Sequence, residues 1–176
     1  TYTVTITNTA IGCSGTTQGL AVKILSAPVP GFDVKQNACV TEPLPFTSTS
    51  TVDPDGTPVF NCAFGDGATS TAAAPTHSYN TSQTFTASLT VTYQGVAGCS
   101  ANTSKNIVVA NGTIPVITPS SPDACEGQQV TLTLTGTFTT RTWSTGATTN
   151  SISVGPGTFS VNTVDATGCP GFAQVT

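Results

Sequence analysis

The sequence is short of charge of either sign. Four of its 176 residues are Lys or Arg, eight are Asp or Glu, one is His, and the formal net charge is −4. Binding to nucleic acid requires a basic face that neutralises phosphates, so this balance excludes nucleic acid as a partner. Apolar runs are no longer than segments such as 107–110 (IVVA). A bilayer span needs ~20 apolar residues, so no membrane span is expected.

Leu, Glu, Lys and Arg, which are good helix formers, are also scarce, and methionine is absent. Thr supplies about a fifth of the residues, and Val, Ser and Gly are also abundant. Segments 1–7 (TYTVTIT) and 130–135 (VTLTLT) alternate Thr with apolar residues. Alternation with period 2 is typical of a strand with one buried face, and no long window shows the helical period of 3.6. The sequence therefore predicts an all-β protein.

Internal repeats organise the chain. The dipeptide Gly-Cys occurs at 12–13, 98–99 and 168–169, after alternating runs that open on Thr and an aromatic residue. Cys39 and Cys125 are 86 residues apart (125 − 39), as are Cys13 and Cys99 (99 − 13). We therefore expect three units: a C-terminal hairpin of a truncated first repeat (1–27), a complete central unit (28–112) and a C-terminal unit (113–176) whose last strand is truncated. The chain reads as an excerpt from a longer repetitive polypeptide.

Turn signals divide the central unit into about seven short strands. We expect these near 30–36, 45–51, 57–64, 68–72, 76–79, 84–93 and 103–110. Turns are expected at 53–56 (DPDG), 65–67 (GDG) and 95–98 (GVAG), because Gly tolerates positive φ. Short strands at this spacing predict tandem antiparallel β-sandwiches joined end to end. The joining segments are short and contain proline, which favours a semi-rigid array.

The central unit resembles a PKD domain. The resemblance is carried by 60–67 (FNCAFGDG), 75–79 (PTHSY) and the long alternating strand 85–92 (FTASLTVT). The unit departs from the family pattern at Cys62, where a Trp is usual, at Ala63, where an Asp is usual, and at 82–83, where a Gly is usual. The resemblance implies a β-sandwich with no catalytic role.

The C-terminal unit resembles the Ig-like repeats of very large surface proteins of the Bacteroidetes type. Segments 125–130 (CEGQQV), 143–149 (WSTGATT), 157–161 (GTFSV) and 168–169 (GC) carry this resemblance. Mixed PKD-like and Ig-like arrays resemble parts of secreted adhesins, including gliding-motility adhesins. They also resemble accessory modules of exported hydrolases. By the same resemblance, Trp143 is expected in the core rather than on a carbohydrate-binding face.

Six cysteines in a chain poor in charge indicate an oxidising compartment. The phase of the repeats suggests that Cys39 pairs with Cys99 and Cys125 with Cys169, each bond joining the first strand region of a sandwich to its last hairpin. Cys13 is then expected to pair with a cysteine upstream of this segment. Cys62 is expected to be a buried, inert thiol, with a bridge to Cys13 or a reactive thiol as alternatives.

His77 and Cys62 are the residues from which a nucleophile–base pair could be built. Thiol catalysis needs a base within hydrogen-bond reach and an open cleft, whereas the PTHSY context implies a structural His77. We therefore expect no enzyme activity. Zinc is also not expected, because the cysteines are widely spaced and no CxxC motif occurs.

Asp53 and Asp55 form the candidate metal site. Alternating carboxylates on a turn can offer several oxygens to Ca²⁺, which prefers six to eight oxygen ligands, and some PKD domains bind calcium near the equivalent turn. A plain turn is the alternative. No other cofactor is expected.

These features predict an extracellular, cell-surface repeat segment that forms a disulfide-stabilised stalk or filament. Its partners would be neighbouring repeats of the same chain, with surface polysaccharide or protein bound through other regions. The alternative is an accessory module of a secreted hydrolase that binds carbohydrate or protein. A row of exposed aromatic side chains would favour that alternative.

Overall fold

The computed structural model describes residues 24–123, 125 and 127–176 in full, and the backbone of 5–8 and 13–16. Every regular element in these residues is a β-strand, which confirms the all-β sandwich class. Among them, no helix is long and apolar enough to cross a membrane.

The described residues form seventeen strands, numbered in chain order. Those before residue 113 are β1 (Thr5–Asn8), β2 (Cys13–Thr16), β3 (Phe32–Asp33), β4 (Asn37–Cys39), β5 (Leu44–Pro45), β6 (Thr47–Ser48), β7 (Pro58–Ala63), β8 (Thr69–Ser70), β9 (Thr76–His77), β10 (Thr84–Tyr93) and β11 (Val96–Ala110). Those after it are β12 (Val116–Pro119), β13 (Val130–Thr135), β14 (Phe138–Trp143), β15 (Ser151–Val154), β16 (Phe159–Asp165) and β17 (Pro170–Val175). β1 and β2 pair as an antiparallel hairpin.

A five-stranded sheet in the order β4-β11-β10-β7-β8 forms the main layer of the central unit. Its strands pair antiparallel, except that β4 runs parallel to the end of β11, with Cys39 opposite Ala110. The pairs β3–β6 and β5–β9 form two further short sheets. This arrangement places Cys39 where the chain leaves the central unit.

Stacked aromatic rings fill the core of the central unit. The Phe64 ring lies 4.0 Å from the His77 ring and 5.0 Å from the Phe46 ring, and Tyr79 stacks on Phe85 at 4.1 Å. The buried Tyr79 hydroxyl donates to the Phe64 carbonyl at 2.9 Å, and burial raises the pKa of Tyr79 to about 12. Cys62, at the usual Trp position, is buried in the same core and borders a small cavity beside Phe46 and Leu89.

Two three-stranded sheets, β12-β13-β15 and β14-β16-β17, form the C-terminal unit. Trp143 is 2% exposed in the core between them, as predicted, and its Nε1 donates to the Thr149 carbonyl at 2.9 Å. The alternating run 130–135 forms β13 with those bounds.

The last hairpin of the central unit differs from the prediction. A turn was expected across 95–98, but β11 already begins at Val96 and contains Gly98 and Cys99. The turn is tighter, at Gln94 and Gly95, and the register shifts after Thr92. Gly98, at φ 83°, lies within this irregular stretch of the strand. Cys99 is therefore a strand residue close to the tip of the hairpin.

The Gly-Asp-Gly turn supplies a matched pair of variants. Gly65 and Gly67 both have positive φ (90° and 97°), but a Cβ on Gly65 would lie 2.6 Å from the Thr86 carbonyl oxygen, whereas a Cβ on Gly67 meets nothing within 4 Å. We expect Gly67→Ala to cost about 1 kcal/mol through backbone strain. Gly65→Ala should cost a further 1–3 kcal/mol or so, because the strand must also shift. Chemical denaturation measures the free energy of unfolding of both variants. Equal losses would contradict the prediction, because they would show that β10 moves away from residue 65 without loss of stability.

Candidate functional site

A disulfide between Cys39 and Cys169 joins the two sandwiches. Its Cα atoms are 5.6 Å apart and it closes a sequence separation of 130 residues. Cys39 ends β4 of the central unit, and Cys169 lies in the turn between β16 and β17 of the C-terminal unit. In the chain-entropy model, a loop of this length adds about 5 kcal/mol to stability. The junction between the units is therefore covalent.

The expected pairings Cys39–Cys99 and Cys125–Cys169 are wrong for this structure. In the sheet, Cys39 lies opposite Ala110, which is eleven residues along β11 from Cys99. At 3.3 Å per residue, Cys99 is about 36 Å from Ala110. Disulfide Cα atoms lie within about 7 Å of each other. Cys169 precedes β17, whereas the loop that contains Cys125 borders a groove that reaches Val175, at the far end of that strand. Each expected pair would join opposite ends of one sandwich.

Of the cysteine side chains that the structure describes, Cys62, Cys99 and Cys125 are in no disulfide. Burial raises the pKa of the Cys62 thiol, which suits an inert thiol rather than a nucleophile. The side chain of Cys13 lies outside the described residues.

A carboxylate holds the backbone of each bonded cysteine. The Cys39 amide donates to Glu42 Oε2 at 2.9 Å, and the Cys169 amide donates to Asp165 Oδ1 at 3.0 Å. Lys35 donates to the other oxygen of Glu42 at 2.7 Å, and this hydrogen bond, with that of Cys39, lowers the pKa of Glu42. Both ends of the disulfide are thus fixed by charge-assisted hydrogen bonds.

Asp165 also fixes the segment that links the units. Its Oδ2 accepts from the Thr113 amide at 2.7 Å, and its Oδ1 accepts from the hydroxyl and the amide of Thr167 at 2.6 and 2.9 Å. Although the residue is only 3% exposed, the donors from Thr167, Thr113 and Cys169 lower the pKa of Asp165 well below its usual range. A single carboxylate therefore connects the linker, the hairpin and the disulfide.

The linker packs closely against the last hairpin. A Cβ on Gly171 would lie 2.7 Å from Cδ of Pro115 and 3.0 Å from the Thr113 carbonyl oxygen, and one on Gly112 would lie 3.1 Å from Cβ of Cys169. These distances leave no room for a larger residue at Gly171 without movement of the linker. The linker therefore lies against the last hairpin of the C-terminal unit from Gly112 to Pro115.

The turn with Asp53 and Asp55 performs a similar clamping function at the other end of the central unit. Asp53 Oδ2 accepts from the amide and the hydroxyl of Ser26, each at 2.9 Å, and Oδ1 accepts from the Asp55 amide at 3.0 Å. The Tyr93 hydroxyl accepts from the Asp53 amide at 2.7 Å. Each unit therefore uses an aspartate to hold the amide two residues before its first proline, Ser26 before Pro28 and Thr113 before Pro115.

The expected calcium site would use Asp53, whose carboxylate oxygens already accept hydrogen bonds from Ser26 and Asp55. Among the described residues, no cluster of three or more His, Cys, Asp or Glu side chains could hold a metal. A calcium ion at this turn would take Asp53 and Asp55 as its carboxylate ligands, and carbonyl or water oxygens would have to complete its shell. Calcium binding at the turn stays a prediction.

His77 is held in a structural setting. Its Nε2 lies 2.7 Å from Asp66 Oδ2, and its ring lies between Phe64 and Tyr79. Burial alone would raise the pKa of Asp66, but hydrogen bonds from the Ala68 amide and from His77 lower it. This carboxylate and imidazole cross-link the turn 65–67 to β9.

Sequence reasoning missed Asp165 and Glu42. Glu42 follows Cys39 by three residues and Asp165 precedes Cys169 by four, so their proximity to cysteines was the available signal. In a chain with eight acidic residues, two acids beside two cysteines could have marked the junction.

We predict that Asp165→Asn weakens the junction in a pH-dependent way. The folded-state pKa of Asp165 is depressed, so its contribution to stability is present above the unfolded-state pKa of ~4 and is lost as pH falls below that pKa. The variant should unfold at a lower temperature than wild type at pH 7, and the difference should shrink as pH falls from 5 towards 3. Thermal unfolding against pH measures this. Asp123→Asn, at an exposed loop carboxylate, is the control, and equal behaviour of both variants would contradict the assignment.

The calcium prediction has its own test. If the turn binds Ca²⁺, millimolar calcium should raise the unfolding temperature relative to chelator, and Asp55→Asn should abolish the rise. Asp123→Asn should leave the rise unchanged. An unfolding temperature that does not respond to calcium would show that Asp53 only clamps Ser26.

Comparison with known proteins supports a single family. The PKD domain model matches residues 25–109. The PKD1 domain of Vibrio anguillarum Epp is 30% identical, with 49% of this chain and 96% of that chain covered and a TM-score of 0.41. The PKD1 domain of the Vibrio cholerae metalloprotease PrtV is 35% identical, with 48% and 98% covered and a TM-score of 0.40.

The other comparisons add the fold alone. An ICAM-5 D1–D4 ectodomain fragment is 16% identical, with 98% of this chain and 54% of that chain covered and a TM-score of 0.52, which agrees with tandem Ig-like sandwiches. A comparison with curated proteins produced no significant match. The matched motif and the two domain-length relatives show that this chain belongs to the PKD domain family through residues 25–109.

Proposed function

We propose that this chain is a non-catalytic segment of a large cell-surface adhesin, in which β-sandwich repeats form a semi-rigid, disulfide-stabilised stalk or filament. The observation that carries the proposal is the Cys39–Cys169 disulfide between consecutive sandwiches. A bond within one sandwich would stabilise that sandwich only. A bond between two sandwiches restrains their relative orientation and transmits tension between them.

The disulfide changes the path of a pulling force. Tension applied at the two ends of the chain reaches Cys39, crosses the sulfur–sulfur bond and leaves from Cys169. The 130-residue loop between these positions is bypassed, even if its strands separate. Such a junction suits a stalk that must keep its length under load.

The surroundings of the disulfide support the same use. Glu42 and Asp165 fix the backbone at its two ends, and Asp165 also holds the linker at Thr113. Covalent closure, hydrogen bonds and the fit of Gly171 against Pro115 restrict hinge motion. This rigidity would hold a distal binding region at a distance from the cell.

An extracellular location is part of the proposal. Disulfides persist in oxidising compartments and are rare in the cytosol. A charge content of 7% and abundant Thr hydroxyls give a surface that is hydrated with few ion pairs. The resemblance of the C-terminal unit to surface repeats of the Bacteroidetes type leads us to include gliding-motility adhesins in the proposed class.

A second candidate function is that of an accessory module in a secreted hydrolase. Phe172 on β17 favours it, because this ring is 58% exposed and could stack on a sugar. Among the large apolar side chains exposed in the described part of the chain, Phe172 is the one aromatic, so no aromatic row is present there. A native polypeptide with many such units would favour the stalk, and one with a catalytic domain beside a few units would favour the module.

Single-molecule pulling tests the load path. Under oxidising conditions the loop between Cys39 and Cys169 should stay closed, and reduction should add roughly 450 Å to the fully extended length, at about 3.5 Å per residue. Cys39→Ser should reach the longer extension without reductant, and Cys62→Ser, which removes a thiol in no disulfide, should behave as wild type. Equal extension of oxidised and reduced chains would overturn the load-bearing role.

A further inference from the structure

We propose that Cys99 and Cys125 each form a further disulfide with a neighbouring β-sandwich unit of the same polypeptide, repeating the Cys39–Cys169 connection at the next junction in each direction. The inference rests on the proposed repeat architecture and names the partners of Cys99 and Cys125, the two cysteines that are at least partly exposed and in no disulfide among the described residues. We call the end of a unit where the chain comes in its leading end. It is marked by Ser26, just before the central unit, and by Thr113, at the start of the C-terminal unit. The opposite, trailing end contains Ala110 and Thr176.

Cys125 occupies the same local structure as Cys39. The carbonyl of Cys39 accepts from the amide three residues later, Glu42, at 3.1 Å, and the carbonyl of Cys125 accepts from Gln128 at 3.0 Å. Two residues after each cysteine the chain has positive φ, 66° at Thr41 and 81° at Gly127. Both cysteines therefore begin the same kind of turn.

The two turns also lie at the same end of their units. Cys39 pairs with Ala110, the last residue of β11. Asp123 and Gln128, on either side of Cys125, line a groove together with Val175 and Thr176 at the end of β17. Cys125 is therefore a trailing-end cysteine, like Cys39.

Cys99 corresponds in the same way to Cys169. Each follows a glycine of nearly identical backbone conformation, Gly98 at φ 83° and Gly168 at φ 84°. Each is also close to the turn of the last hairpin of its unit.

The hairpin of Cys99 lies at the leading end of the central unit. Tyr93, at the end of β10, accepts from the Asp53 amide, and Asp53 binds Ser26. The hairpin of Cys169 lies at the leading end of the C-terminal unit, where Asp165 binds Thr113. The bond present in the structure therefore joins a trailing-end cysteine to a leading-end cysteine of the next unit.

Cys99 and Cys125 are the members of this pattern without a partner in the described residues. Cys125 is exposed and Cys99 is partly exposed, whereas the free thiol of Cys62 is buried. Because they lie at opposite ends of the array, each can meet a cysteine of a neighbouring unit. The repeat rule assigns Cys125 to the last-hairpin Gly-Cys of the following unit, and Cys99 to the first-strand cysteine of the preceding unit.

The trailing end of the C-terminal unit offers space for such a hairpin. At the junction already formed, Ala166 and Thr167 of the last hairpin lie beside Asn37 and Ala110 of the central unit. Beside Cys125, the groove of about 250 Å³ is bordered by apolar side chains. These include Pro122, Pro156, Phe159 and Val175. A hairpin turn with small residues such as Ala166 would fit there by the same geometry.

Formation of each bond is a two-electron oxidation. The thiolate of one cysteine attacks an oxidised dithiol–disulfide exchange protein of the export compartment and forms a mixed disulfide. The thiolate of the partner cysteine then attacks the sulfur of the first repeat cysteine in that mixed disulfide. The exchange protein leaves as a dithiol after taking up two protons. The two cysteines have lost two electrons and two protons in total.

The mechanical consequence is a set of overlapping covalent loops. Cys125 lies in the loop of chain closed by Cys39 and Cys169. A disulfide from Cys125 to the following unit would close a second loop that shares residues 125–169 with the first. Each unit would then be crossed by the loops of both neighbouring junctions.

Disulfide mapping of the native polypeptide that carries this chain tests the inference. Free thiols are alkylated without reduction, and the protein is cleaved after Lys and Arg and before Asp. Cys13 falls in the fragment that ends at Lys23, and the other cysteines fall in fragments 36–52 (Cys39), 55–65 (Cys62), 66–105 (Cys99), 123–141 (Cys125) and the fragment beginning at 165 (Cys169). We expect 36–52 linked to the fragment beginning at 165, fragment 55–65 alkylated, and 66–105 and 123–141 each linked to a peptide from a neighbouring unit.

Other results separate the two proposals. If 66–105 and 123–141 are alkylated while the link from 36–52 to the fragment beginning at 165 is present, the inference is overturned and the load-bearing junction stands. If 36–52 is linked to 66–105, and 123–141 to the fragment beginning at 165, both proposals fail. In the native polypeptide, Cys125→Ser should expose one new alkylatable cysteine in the following unit. Cys62→Ser should expose none.

Discussion

The covalent bond between Cys39 and Cys169 is the constraint on which the arrangement of this molecule depends. Each sandwich has its own core, but the relation between them is set by a disulfide across 130 residues. Its two ends differ in structure, since one is a short parallel strand and the other a hairpin turn. Both present a backbone amide to a carboxylate, Glu42 in one case and Asp165 in the other. The sulfur atoms are thus held by groups that the folded units already fix.

The chain has only eight acidic residues, and three of its aspartates lie at turns and linkers. Asp53, Asp66 and Asp165 all accept backbone amide hydrogen bonds, so these acids act mainly on the conformation of turns and linkers. Two of them hold the amides of Ser26 and Thr113, where the chain passes into a new sandwich. Hydrogen bonds from backbone amides to carboxylates are stronger than those between neutral groups. A chain with few ion pairs can therefore define its junctions well.

Stacked rings form the core of the central unit, in which Cys62 is buried at the usual Trp position. Phe46, Phe64, Tyr79 and Phe85 form the hydrophobic core with His77 at its edge. The hydroxyl of Tyr79 donates to the Phe64 carbonyl, so burying this ring does not leave an unsatisfied hydrogen-bond donor in the core. Residues of the Gly-Asp-Gly turn and of the PTHSY segment meet here through Asp66 and His77. This contact accounts for their joint presence in the motif.

The sequence by itself determined the all-β class, the PKD resemblance, the core position of Trp143 and the strand 130–135, because period-2 alternation and turn residues act over a few neighbouring positions. It did not determine which cysteines meet. The repeat phase places Cys39 and Cys99 in one unit, but the parallel pairing of β4 with the end of β11 puts them at opposite ends of a long strand. Likewise, the acidic pair Asp53 and Asp55 was visible, whereas the clamp on Ser26 and the role of Asp165 were not. Such contacts depend on strand direction and on which end of a sandwich faces its neighbour, and only the tertiary structure decides those.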